Sequence, residues 1–281
     1  MVVRSRYGNV REARDHIQNG CGASGRQHGA RPIRTRARWA PPRTHPVRYR
    51  NRPPDLDARD IEDFLNGLPR RYLQLFSPEA IYRHVRHAKT VAPDTVDAWL
   101  ERQDDGWGLT VLAHDRAFLF SNISGVLSSY GMDILRGFAF TKDNGLILDM
   151  FYFTDQERIL ELNPEAEEKV IGRLKDVIFG RQDLAARLKS REEGAGRRRL
   201  PGFAPVVHCD NESSRRYTIV EIVAENGIGL LYRMSRAMSE SGCEVDLVLI
   251  NTEGRRAIDV FHLTRQGNKL SAEQQQELTE N

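Results

Sequence analysis

The sequence predicts an α+β fold in which one unit occurs twice. Three observations predict it. Leu109–Thr154 recurs as Val220–Thr264, with Ala113 aligned to Ala224, Leu119 to Leu230, Ser124 to Ser235, Gly131 to Gly242 and Thr141 to Thr252. The offset is 111 residues, then 110 after one gap, where Asp149 meets Asp259, Phe151 meets Phe261 and Thr154 meets Thr264. Within each copy, apolar residues alternate along short stretches and then recur at helical spacing. Each copy also carries a turn signal between two such stretches, Asp143-Asn144-Gly145 in the first and Glu253-Gly254 in the second.

The elements follow in chain order. Residues 55–90 read as helical, with Ile61, Phe64, Leu65 and Leu68 as an apolar stripe interrupted at Pro69. Ser77 is placed to cap a second helix with Pro78 in its first turn, and that helix carries Ile81, Tyr82 and Val85. Trp107–Ala113 reads as a strand. Residues 118–130 read as a helix with Leu119, Ile123, Val126, Leu127 and Tyr130 on one face, stopped by Gly131. Ile134–Phe140 and Leu146–Phe153 read as paired strands, and Asn163-Pro164 opens a helix faced by Val170, Ile171, Leu174, Val177 and Ile178. Residues 180–202 read as a polar excursion, and Pro205–Cys209 as an edge strand closing the first copy. The order is β-α-β-β-α-β, the split, ferredoxin-like arrangement.

The second copy repeats the pattern. Tyr217–Ala224 is a strand, and Leu230, Met234, Ala237 and Met238 form a helix face ended by Gly242. Val245–Ile250 and Ala257–Leu263 pair, and Ser271 begins a last polar helix. No fourth strand is left for this copy. The expected divisions are an extension over 1–52, a helical lead over 53–102, a first domain over 105–210 and a second over 215–281 that lacks a clear last strand.

Composition narrows the class. The 281 residues suit roughly two domains. No run reaches the roughly 20 apolar residues of a spanning helix, so no membrane partner is expected. Cys21, Cys209 and Cys243 are scattered and odd in number, which favours a reducing cytoplasm over a disulfide framework. Residues 1–52 hold 13 Arg, no Lys, and only Glu12 and Asp15 as acids, so they carry +11 while the remainder carries −8. Any nucleic-acid footprint is therefore confined to the tail, and a nucleic-acid partner is not expected of the body. The tail reads as disordered. An Arg-rich, acid-poor start can imitate a targeting segment; the reading preferred here is an extension without its own function.

Catalytic motifs are not evident. A nucleotidyl transferase needs paired acids on a strand for Mg²⁺ and a Gly-Ser turn for phosphates. His114-Asp115 is the only adjacent His-Asp pair, with no further His nearby. His84 and His87 stand at i, i+3 on a helix, an incomplete metal set more in keeping with surface or packing roles. Gly194-Ala195-Gly196 follows no strand and is no dinucleotide fingerprint. No cofactor or metal is expected.

The repeated strand–loop–helix junctions are the candidate binding sites. The first runs His114-Asp115-Arg116-Ala117-Phe118-Leu119-Phe120, the second Glu225-Asn226-Gly227-Ile228-Gly229-Leu230-Leu231-Tyr232. Each delivers a helix N-terminus, whose free N–H groups favour a carboxylate, and Gly229 permits close approach of a ligand to the backbone. The plain alternative is that Asp115 and Asn226 simply cap their helices.

These loops resemble the D-R-P-G-L-[FL] signature of ACT domains, small ferredoxin-like modules that bind amino acids. Asp115-Arg116-Ala117-Phe118-Leu119-Phe120 keeps the Asp, the Arg and both terminal apolar residues; Gly229 is followed by Leu230-Leu231-Tyr232. Leu68-Pro69-Arg70-Arg71-Tyr72, Ser77 to His84, and Cys209 to Ser214 with Arg216-Tyr217-Thr218 add connectors in the same order. Over about residues 55–281 the chain resembles the carboxy-terminal region of the bifunctional PII uridylyltransferase/uridylyl-removing family. The resemblance implies two tandem ACT domains behind the end of a hydrolase-like region, a glutamine-sensing role in nitrogen regulation, and no catalytic domain of its own. It implies a detached regulatory part or truncated gene product, with a homodimer or a separate catalytic chain as partner. The alternatives are a truncated enzyme of that family and a pairing scaffold that binds nothing. Copy one places Ala117 and Phe118 where the signature has Pro and Gly, and copy two places Asn226, Gly227 and Ile228 where it has Asp, Arg and Pro. Ligand contact is therefore expected at Asn226, Gly227, Ile228, Gly229 and Leu230, and secondarily at Asp115, Arg116, Ala117 and Phe118.

Overall fold

A computed structural model describes residues 52–114, 116–194, 203–253 and 255–280. The expectations for residues 1–51, Asp115, residues 195–202 of the polar excursion and Gly254 fall outside the described residues. Among the described residues, three helices come first: α1 (Ala58–Leu65), α2 (Arg70–Leu75) and α3 (Pro78–Ala88). The first repeated half is β1 (Val96–Gln103), β2 (Gly106–His114), α4 (Leu119–Ser129), β3 (Asp133–Thr141) and β4 (Leu146–Thr154). Helices α5 (Ile159–Leu162), α6 (Ala166–Ile178) and α7 (Leu184–Gly194) follow. The second half is β5 (Val206–Asp210), β6 (Thr218–Glu225), α8 (Leu230–Glu240), β7 (Glu244–Glu253) and β8 (Arg256–Thr264), closed by α9 (Ala272–Glu280).

Local chemistry explains the boundaries. Ser77 Oγ accepts from the Ala80 N–H at 3.3 Å to cap α3, and Asp57 and Asp60 form a reciprocal capping box on α1. Both repeated helices stop in the same way. Gly131 and Gly242 adopt left-handed φ of 76° and 71°. The N–H groups of Met132 and Cys243 then reach back to the carbonyls of Leu127 and Met238, at 3.1 and 2.8 Å. The Asp143-Asn144-Gly145 turn joins β3 to β4, with Gly145 at φ 78°.

All eight strands form one antiparallel sheet in the order β1-β2-β4-β3-β7-β8-β6-β5. This corrects two expectations. Val96–Gln103 is a strand rather than part of the helical lead, and it supplies the outer strand of the first half by pairing with β2. Val206–Asp210 pairs with β6, so it closes the second half and not the first. Each half therefore takes its outer strand from the segment before it, and the second half has its fourth strand after all. The arrangement is compatible with two ferredoxin-like units. The expected excursion over 180–202 contains helix α7, whose Leu184 and Leu188 are buried.

The two halves meet at β3 and β7, in the pairs Arg136–Leu249, Gly137–Val248 and Phe138–Leu247. Glycine is required on both layers of this junction. A side chain at Gly137 would lie 2.7 Å from Phe120 and 3.0 Å from Val248. One at Gly125 would lie 2.5 Å from Leu184 and 2.8 Å from Tyr232, where α4 meets α7 and α8. Gly125→Val is expected to destabilise the protein by about 1–3 kcal/mol, since buried groups must move to admit the new methyls; an unchanged urea midpoint would refute the close packing.

Helices cover one side of the sheet with the larger core, which includes Leu109, Ile123, Phe151, Val220 and Phe261. On the other side, α1–α3 cover the first half, packing Ile61, Tyr72, Phe76 and Val85 on Leu112, Phe140, Leu148 and Met150, with Leu247 of β7 at the border of the same cluster. One residue of this lead reaches the junction. Arg71 donates to the carbonyl of Ala139 on β3 at 3.1 Å and to that of Asp246 on β7 at 2.7 Å. It also pairs with the Asp246 carboxylate and lies 4.8 Å from the Phe140 ring centroid.

Candidate functional site

The two repeated junctions fold alike. Each helix begins at a residue in the left-handed region, Phe118 at φ 63° and Gly229 at φ 69°, without a side-chain cap. The first N–H of each helix returns to an equivalent carbonyl: Leu119 to Arg116 at 3.3 Å and Leu230 to Gly227 at 3.2 Å. Glycine adopts this conformation without steric cost, whereas Phe118 is strained by it. Asn226 is not the cap of α8, because Gly229 occupies that position; its N–H binds the Arg255 carbonyl at 2.8 Å.

Both junctions are covered in this conformation. Arg116 donates to the Pro93 carbonyl at 2.9 Å and stacks 4.7 Å from the Phe179 ring. The Phe118 ring lies under Arg236 of α8 at 4.8 Å. Gly229 is buried, and a side chain there would stand 3.3 Å from Leu188 of α7. Arg233 fastens the same helix over the second loop, donating to Glu192 at 2.8 Å and to the Ile228 carbonyl at 3.0 Å. Ala117 is exposed, and Gly227, Ile228 and Leu230 are half-buried.

An open groove of about 550 Å³ lies beside these junctions, where the two halves meet. Asn122 of α4, Gln182 and Asp183 ahead of α7, and Tyr232 and Arg236 of α8 supply its polar lining, with Val177 and Leu184 beside them. Arg236 is held by the Tyr232 hydroxyl at 3.3 Å and by Glu240 at 2.9 Å. The hydrogen bond to Tyr232 raises its pKa above the ordinary guanidinium value, so it remains cationic. Asp183 accepts from the Ala185 and Ala186 N–H groups at 2.9 and 3.2 Å and so fixes the start of α7. The groove thus combines one cation, one carboxylate and two amides, a set suited to a small zwitterion. None of the residues expected from the loops lines it; Phe118 approaches it through Arg236. Sequence reading missed Arg236 and gave Tyr232, at the end of the second junction, no ligand contact. The repeat held one signal, since Arg236 aligns with Gly125.

The two helix histidines do not converge on one site. His84 is buried, with Nδ1 2.6 Å from the Tyr72 hydroxyl, and burial pulls its pKa down to about 3. His87 Nδ1 lies 2.6 Å from Asp97, and its ring stacks on Trp99 at 4.0 Å. Among the described residues no group of three His, Cys, Asp or Glu is placed to hold a metal ion, and no helix is long and apolar enough to cross a membrane.

The fold and site define an α+β protein with two repeated halves in one antiparallel sheet and a polar groove between them. Its homologues are bifunctional uridylyltransferase/uridylyl-removing enzymes. That of Azospirillum brasilense is 30% identical over 74% of this chain and 23% of its own length. That of Gluconobacter oxydans is 31% identical over 74% of this chain and 23% of its own. That of Novosphingobium aromaticivorans is 33% identical over 59% and 18%. The chain thus spans about a quarter of the length of these curated relatives. No family model matches it.

Proposed function

We propose that this chain is a regulatory module that senses an amino acid, glutamine first among candidates, through two tandem ACT domains related to those of PII uridylyltransferases. The observation that carries the reading is the groove between the halves, with Arg236 and Asp183 on its walls. In this reading Arg236 takes the ligand α-carboxylate, Asp183 takes the ammonium group, and Asn122 and Gln182 meet the side-chain amide. The loop Asn226–Leu230 is the second place a ligand can enter, and it opens only if Leu188 leaves Gly229. Binding at either place favours one arrangement of the halves and α7 over another, which is regulation by population shift. In nitrogen signalling the regulated activity belongs to a catalytic partner chain.

Calorimetric titration of the full chain with glutamine tests this, beside Arg236→Ala and Gly229→Phe. Saturable binding lost in Arg236→Ala places the ligand in the groove. Binding lost only in Gly229→Phe places it at the second loop. A folded sample that gives no heat with glutamine or any other amino acid overturns the reading. That result would favour a pairing scaffold, for which the Leu188–Gly229 contact is the specific support. Labelling of a PII-type protein from UTP by the purified chain would instead identify an enzyme.

A further inference from the structure

Helix α7 takes part in both places where the halves meet. The repeat makes Phe118, Asn122 and Gly125 of the first half equivalent to Gly229, Arg233 and Arg236 of the second. The open groove lies between Asn122 and Arg236. Its repeat equivalent lies between Arg233 and Gly125, and there α7 fills the space. Leu184 stands against Gly125, where an added side chain would be 2.5 Å from it, and Leu188 stands against Gly229. Glu192, one turn further on, accepts from Arg233 at 2.8 Å. The helix thus offers the second place an aliphatic group and a carboxylate, the two groups an amino acid would bring. Its hold is light. Leu184 and Leu188 are its buried residues. Its ties from Arg187 to Ser129 at 3.1 Å, Arg191 to Glu157 at 2.6 Å and Glu192 to Arg233 are polar and open to competition from water. The same helix begins at the groove, where Asp183 caps it and Leu184 and Ala185 belong to the wall.

We infer that α7 is an internal plug of the second place and makes the two places mutually exclusive, an inference that rests on the amino-acid-sensing function proposed above. A ligand whose ammonium group is held by Asp183 fastens the start of α7, so Leu188 and Glu192 stay seated. A ligand at Gly229 and Arg233 has to displace both. Because Asp183 and Leu188 stand on one short rigid element, that displacement also withdraws the groove wall. By linkage each ligand then weakens the other by the same factor, about 5- to 150-fold for typical couplings. The chain therefore holds one ligand at a time, although its repeat provides two equivalent places.

Calorimetry and hydrogen exchange on the full chain test it, with glutamine as the probe. Leu188→Ala removes the plug. Glu192→Lys, at an exposed position, sets a like charge against Arg233 and serves should Leu188→Ala fail to fold. The parent is expected to bind one glutamine, which slows exchange along α7. Each variant should bind two. Each should also speed amide exchange over 227–232 by about tenfold or more, while β6 and β8 keep their protection. Two ligands on the parent, one ligand on both folded variants, or unchanged exchange over 227–232 each overturn the plug and leave the sensing function standing. A chain that binds no amino acid in any of the three forms overturns both.

Discussion

Replacing Arg71 with alanine is expected to destabilise the protein by about 3–5 kcal/mol, because it strands a buried partner charge. The side chains of Arg71 and Asp246 are only 20% and 17% exposed, and burial raises the Asp246 pKa against the pull of Arg71. The variant also frees the Ala139 and Asp246 carbonyls on opposite sides of the junction. Urea denaturation measures the loss. Arg71→Ala with Asp246→Ala should recover part of it, since no charge then remains unpaired. A single variant as stable as the parent would show that the lead does not clamp the halves. Arg71 alone among the residues discussed ties α2 to both β3 and β7.

Asp259→Asn is expected to change the pH dependence of stability by about 4 kcal/mol between pH 4 and pH 8. Asp259 sits on β8 between Ile222 and Ile250, 2% exposed, with one carboxylate oxygen buried and without a hydrogen-bond partner. Burial, aided by the charge of Asp133, raises its pKa from 3.8 to about 7. The folded chain therefore keeps a proton that the unfolded chain releases near pH 4. Stability contributed by this group falls as pH rises from about 4 to 7 and then levels off. Asparagine has the same shape and no charge, so the variant should gain on the parent as pH rises and not below pH 4. Thermal melts at several pH values decide it; parallel curves for the two proteins would refute the raised pKa. His84 works in the opposite direction, because a histidine held neutral costs stability as pH falls below 6.5.

Much of the fold was legible in the chain. The repeat, the Gly131 and Gly242 stops, the Ser77 cap and the Asp143-Asn144-Gly145 turn are local features. Each is decided by dihedral preference or by hydrogen bonds within a few residues. Val96–Gln103 was not legible. Asp97, Glu101 and Arg102 give it the composition of a polar lead, and its strand character comes from pairing with β2. Helix α7 was hidden similarly, since its helicity rests on Leu184 and Leu188 packing against the repeated helices.

The site divides along the same line. By itself the sequence determined that two equivalent loops exist and that each delivers a helix start, because glycine, turn and apolar spacing are written within some 20 residues. It also determined that Gly229 and Phe118 differ where a ligand would approach. Only the tertiary structure decided that Leu188 covers Gly229, that Arg236 crosses to Phe118, and that Asp183 and Arg236 face one groove. Those contacts join residues 41 to 118 positions apart in the chain. No local preference encodes them. They follow from the β3–β7 pairing and from the small side of α4 at Gly125, which bring the two halves and α7 together.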